Sequence, residues 1–398
     1  MSHNLISTYI DEVSQICFTT FNKKVPKSGK PAANEWTVLS CILSYDKSLE
    51  KIEVISLGTG TKCIGASKMS SKGDVLNDSH AEAMARRGFL VYLYENIEKL
   101  QTDPAIFPNE TNLTEDMGQT DNPESTNNIN NDSNSTKNLL TKRKLDGSNN
   151  IPTKKLKLQS DIHRTGAKCL PNGEQDPLQP GTSYHITGQV RTKPGRGPKT
   201  LSVSCTDKIA RWIHLGIQGS LLTLFIEPIF IKYFIFGGGV PYSEECIKRA
   251  FFNRNGTKLE PDIEPIFYQS TMVFEHLKNE VKDRPSPASI VWINLKTPLS
   301  EVAVQGKKLG STKLTVNHIK TALSISKYHI YLRFTQVLSK YTNLKTKLLE
   351  NRDLNTVPYN EMKRKAINYN ENWDKLKEKF FKSWTVKPDM WNFCIENK

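Results

Sequence analysis

The feature that most restricts how this chain can fold is a long stretch without aromatic residues. Between Pro108 and Ser183 there is no Phe, Trp or Tyr, and nine of the thirty residues from Asn109 to Asn138 are Asn. Such a segment cannot bury enough apolar area to offset the entropy of ordering it, so residues 109–160 are expected to be disordered. A folded body must therefore be assembled from the residues on either side. With 398 residues in all, those flanks suffice for one large domain or two smaller ones. Inside the stretch, Lys142-Arg143-Lys144 and Lys154-Lys155-Leu156-Lys157 stand nine residues apart. They read either as a bipartite nuclear-import signal or as a loose basic arm beside bound nucleic acid, and place the protein in the nucleus, the cytoplasm or both.

The N-terminal flank carries two strand patterns, Glu35 to Ser44 and Ile52 to Gly58, joined by a short polar connection. The corner Gly58-Thr59-Gly60 follows, and from Asp78 to about Ile97 apolar residues keep helical spacing. In the C-terminal flank the run Leu215 to Phe236 contains Gln218, Glu227, Pro228 and Lys232, which argue against a membrane span. It reads as a buried helix to about Phe225 and, after Pro228, a strand from Ile229 to Phe236 closed by three glycines. Ile290 to Leu295 reads as a further strand, and Lys320 to Tyr341 and Asn360 to Trp384 as helices rich in Lys, Tyr and Trp.

Charge narrows the partners. Lys and Arg outnumber Asp and Glu by 55 to 41, giving a formal charge of +14, and the pI near 9.3 favours a polyanion, nucleic acid first. Met1 to Phe21 lacks the basic and apolar regions of a secretory signal. Seven cysteines with no C-x-x-C pair do not suggest a disulfide framework, and a reducing compartment fits. The loop Arg191-Thr192-Lys193-Pro194-Gly195-Arg196-Gly197-Pro198-Lys199 sets Arg191, Lys193, Arg196 and Lys199 in a Gly- and Pro-rich context. That composition suits contacts to backbone phosphates.

Two short motifs carry the chemistry. Asn77-Asp78-Ser79-His80-Ala81-Glu82 holds a His-x-Glu triplet at the head of a helical pattern. Ser204-Cys205-Thr206-Asp207-Lys208-Ile209-Ala210-Arg211-Trp212 opens a second helix with a cysteine, where unpaired N–H groups favour a thiolate. Together with Gly58-Thr59-Gly60-Thr61-Lys62-Cys63-Ile64 and His163 to Cys169, these stretches resemble the adenosine-to-inosine RNA deaminase family, and its tRNA-acting branch in particular, from about Lys27 to Lys387. The resemblance implies an α/β fold with a cytidine-deaminase-like mixed sheet flanked by helices and an added C-terminal helical part. Residues 1–26 then form an N-terminal helical extension and 27–398 the deaminase domain, interrupted at about 109–160.

By the family's pattern His80 and Cys205 ligate Zn²⁺, and Glu82 shuttles the proton between metal-bound water and the base. Thr61 and Lys62 line the pocket near the ribose. The substrate implied is adenosine in tRNA, at the position just 3′ of the anticodon in alanine tRNA. The resemblance also implies inositol hexakisphosphate enclosed beneath the zinc site by Asn77, Arg86, Arg87, Lys208, Arg211, Lys327, Tyr359, Lys363, Tyr369, Trp384 and Lys387. Cations so dense inside a domain need a counter-charge, which six phosphates supply. Lys208 and Asp78 link that pool of charge to the active site.

In one place the chain departs from the family. The third zinc ligand is a Cys in a Pro-Cys-Gly-Asp turn after the His-x-Glu helix, and here Leu100 runs through Gln101-Thr102-Asp103-Pro104-Ala105-Ile106-Phe107 straight into the Asn-rich stretch. A core strand and the ligand turn are both missing. Three accounts stand open: loss of a segment from the sequence, an RNA-binding pseudoenzyme, or a replacement ligand such as Cys169.

Overall fold

The computed structural model describes residues 3–102, 167–170, 173–174, 186–194, 199–311, 319–386 and 392–395. The Asn-rich stretch and both of its basic clusters lie outside the described residues, as do Arg196 and Lys387. The described residues belong to one unit, Met1–Thr102 with Ile162–Lys398.

Its centre is a five-stranded antiparallel sheet in the order Lys307–Lys308, Leu299–Val304, Ala288–Ile293, Lys51–Thr59, Leu39–Asp46. Alternation along Ala288–Ile293 decides what covers each face. Ile290 and Trp292 pack with Phe21 and Val25 at the end of helix α1 (His3–Lys24), while Val291 and Ile293 pack with Met84 and Val91 of helix α2 (Ala81–Thr102). The sheet is thus sandwiched between two helices. Gly88 permits the close approach of α2, since a Cβ there would stand 3.1 Å from Val291 Cγ2.

Parallel pairing occurs too, but in separate two-stranded sheets. Tyr233–Gly238 pairs with Ile266–Val273, and Glu35–Trp36 with Arg284–Pro285. The expected α/β class, with parallel and antiparallel ladders and a C-terminal helical part, is the fold observed. Helix Lys327–Lys340 buries Tyr331, Phe334 and Leu338 in the same cluster as α2. No helix among the described residues is long and apolar enough to cross a membrane.

Several boundaries differ from the sequence reading, and the helix expected from Lys320 starts only at Lys327, where Ser326 caps it. The run after Leu215 is not a helix: helix α3 (Cys205–Leu215) stops at Gly216, and Gly216 and Gly219 take φ of 78° and 76°, left-handed values that helical residues do not adopt. Only a short 3₁₀ turn, Leu222–Leu224, follows, and the next strand begins at Tyr233 rather than Ile229. The helix expected over Asn360 to Trp384 is broken into Tyr359–Arg364, Ile367–Leu376 and a π turn at Lys377–Phe381. Finally, His80 ends a strand, Asp78–His80, instead of opening α2.

Candidate active site

That short strand organises the site. Asp78–His80 pairs antiparallel with Thr61–Cys63, so that Thr61 lies opposite His80 and Cys63 opposite Asp78. Because side chains alternate, all four project from one face of the ladder. Asp78 then fixes its neighbour: Oδ1 accepts from the His80 backbone N at 3.0 Å and stands 2.8 Å from Nδ1. The chain turns at once into α2 and brings Glu82 into the first helical turn, beside the same group.

Cys205 arrives from the opposite side at the head of α3. Ser204 caps that helix, its Oγ accepting from Asp207 N at 3.1 Å, and Lys208 follows one turn later. The Lys208 ammonium bridges Asp78 Oδ2 and Glu82 Oε1, the latter at 3.1 Å. A second ammonium, Lys193, donates to Cys205 Sγ at 3.0 Å and to Glu82 Oε1 at 3.3 Å, and lies 3.8 Å from Asp78. It is 6% exposed. Its backbone is clamped on both sides, N donating to Ser202 O and O accepting from Thr200 Oγ, each at 2.8 Å. Here the structure corrects the sequence reading: Lys193 belongs to the site rather than to a row of phosphate-contacting cations. Lys199 is exposed as expected, while Arg191 is half-buried and donates through its guanidinium to Ile186 O.

The electrostatics follow from burial against contact. Burial alone would raise the Glu82 carboxyl, yet Lys208 and Lys193 more than reverse it and bring it down to about 2. Asp78 is likewise held well below the ordinary carboxylate range by Lys208 and Lys193 in spite of burial. Burial would lower Lys208, but Asp78 and Glu82 raise it above the usual lysine range. Contrary to the thiolate expected at a helix head, the Cys205 thiol is pushed up to about 12 by burial, with the Glu82 charge adding to the effect.

Against a catalytic zinc this donor set falls short. Such a centre takes three protein ligands plus water, and among the described residues no three of His, Cys, Asp and Glu are grouped so as to hold a metal ion. His80 and Cys205 supply two donors, and Cys205 Sγ already accepts from an ammonium. The residues present do not fit the metal.

A polyanion is a different matter. Beneath the site lies a cavity of about 200 Å³ whose lining includes Asn77, Arg86, Arg87, Lys208, Arg211, Lys327 and Trp384. Arg86 donates to Ile217 O at 2.8 Å and stacks over Trp212, and Arg211 stacks over Trp373 with its carbon 3.7 Å from the ring centroid. Two buried guanidinium nitrogens, Arg87 Nη2 and Arg211 Nε, have no partner. Burial brings Arg86 and Arg87 down to about 10, with neighbouring cations adding to the fall at Arg86. Unmatched buried charge with orphaned donors is what an anion would satisfy. Tyr369 joins through its hydroxyl, which accepts from Arg211 at 3.3 Å. Tyr359 and Lys363 do not line the cavity but meet each other beside it, the Lys363 ammonium 5.5 Å from the ring centroid.

Sequence reasoning missed the pair that braces this arrangement. Asp207 is buried, pairs with Arg254 at 2.5 Å, and through its other oxygen accepts from Arg191 N at 2.9 Å and Ser204 Oγ at 2.7 Å. It therefore ties the segment carrying Lys193 to the helix head carrying Cys205. Cys63, read in sequence only as part of the stretch 58–64 and given no role, lies on the same strand face as Thr61.

Comparison with known proteins identifies the family. The adenosine-deaminase (editase) domain family matches residues 56–388. A tRNA-specific adenosine deaminase 1 of Drosophila melanogaster is 34% identical, the alignment covering 95% of each chain. The Homo sapiens protein of that name is 30% identical over 95% of this chain and 98% of its own. A double-stranded RNA-specific adenosine deaminase of Rattus norvegicus is 24% identical over 96% of this chain but only 32% of its own length. With motif, fold and near full-length likeness in agreement, this chain belongs to the adenosine-deaminase (editase) family.

Proposed function

We propose that this protein is a tRNA-directed adenosine deaminase, hydrolysing adenosine to inosine just 3′ of the anticodon of alanine tRNA, and that turnover needs a third zinc ligand, which no grouping among the described residues supplies. One observation carries the reading. Glu82 at the head of α2 and Cys205 at the head of α3 meet in one buried cluster through Lys193, next to a strand face that presents His80 and Thr61. The Thr61 hydroxyl is buried without a partner, which suits a ribose contact, and Lys62 is its neighbour. Glu82 is the group placed to carry the proton to the base. An anticodon loop offers a base already partly unstacked, so its entry into the pocket is inexpensive. Exposed Lys199 and, beyond the described residues, Arg196 would position the backbone. In the cavity, Arg86, Arg87, Lys208, Arg211, Lys327 and Tyr369 would hold inositol hexakisphosphate. Nuclear or cytoplasmic residence agrees with a tRNA substrate.

A second reading, an RNA-binding family member without turnover, is favoured by the missing Pro-Cys-Gly-Asp turn. The two separate on bound zinc and on inosine in an alanine tRNA transcript. The chain as it stands is expected to carry well under one equivalent of zinc and to form no inosine. Insertion of a family-like strand and Pro-Cys-Gly-Asp turn between Leu100 and Asn109 is expected to restore both. A repaired chain that binds zinc yet leaves adenosine untouched would decide for the second reading.

A further inference from the structure

We infer that in this two-ligand chain the Lys193 ammonium is the resident cation of the Asp78, Glu82 and Cys205 cluster, and that it excludes a divalent metal. The inference rests on the missing third ligand argued above, and deepens it by naming what stands in the metal's stead.

Charge counting is the first support. Asp78 and Glu82 bring two negative charges, and Lys193 and Lys208 bring two positive ones, all four side chains being 14% exposed or less. The cluster is balanced as it stands. Zn²⁺ held by two thiolates would add no net charge, and both lysines could stay. With Cys205 as the one cysteine hydrogen-bonded to Lys193 among the described residues, the same ion adds one uncompensated positive charge to a buried group, a costly state. Losing one ligand therefore removes a counter-charge as well as a bond.

Geometry is the second support. Lys193 is held by its own backbone bonds to Ser202 and Thr200, so its side chain enters from a fixed base. Its ammonium contacts the sulfur that a metal would need and the carboxylate that would serve a bound water. A metal at Cys205 must displace that ammonium from its bonds to the sulfur and to Glu82.

Cobalt(II) is a suitable probe, because a Cys-bound ion gives a thiolate-to-metal absorption. Titrated into the full-length chain it is expected to give no such band, and neither cobalt nor a chelator is expected to move Tm. Lys193→Met should bind cobalt at least about tenfold more tightly than the parent and show the band, while Lys193→Arg, which keeps the charge, should exclude the metal like the parent. Far-UV circular dichroism and gel filtration confirm that each variant is folded, and Lys193→Arg carries the comparison if Lys193→Met is not. One equivalent of cobalt with a thiolate band in the parent, or in Lys193→Arg, overturns the inference. So does a folded Lys193→Met no better at binding cobalt than the parent. Inosine formation by a zinc-loaded parent would sink this inference while upholding deamination, whereas a metal-free parent with an indifferent Lys193→Met would sink it alone.

Discussion

Two charged regions lie back to back in this molecule and differ in how their charge is settled. Around Asp78 and Glu82, carboxylates and ammoniums are matched within the chain and in direct contact. In the cavity below, Arg86, Arg87 and Arg211 face one another and aromatic rings, with nitrogens left unpartnered. The first region needs nothing from outside in order to fold. The second holds repulsion that a bound anion would relieve, and Lys208 lines both.

The largest expected effect comes from breaking the matched region. In a chain with the third ligand restored, Glu82→Gln should lower inosine formation by about 10²–10⁴-fold while zinc is retained, since the amide cannot carry a proton. Single-turnover assays on a tRNA transcript with metal analysis measure both. An active, zinc-loaded Glu82→Gln would remove this residue from the chemistry.

Next is the brace. Arg254→Met strands Asp207 as an unpaired buried charge, and breaking such a pair costs about 3–5 kcal/mol. Denaturant unfolding of the present chain reads it directly. A loss below about 1 kcal/mol would mean that Asp207 is satisfied by Arg191 N and Ser204 alone.

The unmatched region responds in the opposite sense, to addition. Inositol hexakisphosphate at about a thousand times its Kd should stabilise the chain by about 4 kcal/mol, with Arg87→Met and Arg211→Met each reducing the gain. Equal rises in Tm with inorganic sulfate would show that the cavity does not discriminate a polyanion.

Acid sharpens the comparison further. Asp78 and Glu82 have depressed carboxyl pKa values, so the unfolded state binds more protons than the native one in acid. Their contribution is in place above the unfolded values near about 4 and is lost as pH falls toward about 2 for Glu82. Stability measured from pH 5 down to pH 2 should fall less steeply in Glu82→Gln than in the parent, and parallel slopes would contradict the match with Lys193 and Lys208.

The smallest effect belongs to exposed Lys199 and to Arg196, which lies outside the described residues. Neutralising Arg196 and Lys199 together should weaken tRNA binding and reduce the slope of log affinity against log salt by about one to two units. Lys193 is properly left out of that set, and including it should destabilise the protein without flattening the slope further.

How much of this the sequence revealed depends on how local each signal is. His80-x-Glu82 and Ser204-Cys205 were readable because strand end, helix cap and functional atom lie within a few residues of one another. Lys193 misled because a Gly- and Pro-rich basic loop looks exposed, and only the bonds to Ser202 and Thr200 turn this residue inward. The run after Leu215 misled because its apolar content masked Gly216 and Gly219, whose backbone ends the helix. Arg254 left no trace at all, for it meets Asp207 from 47 residues away.

The sheet carries one more consequence. Leu39–Asp46 ends the five-stranded sheet, and Tyr233–Gly238 pairs on one side only among the described residues. Ile42 of the first strand packs in one cluster with Ile229 and Ile231, which lead into the second. Among the described residues each strand therefore leaves a row of N–H and C=O groups unpaired in a sheet, which another chain can read as a template. Protein concentration then becomes a variable of the fold itself: at high expression the same edges that leave a single molecule under-paired draw copies together, and solubility should fail before the isolated domain unfolds.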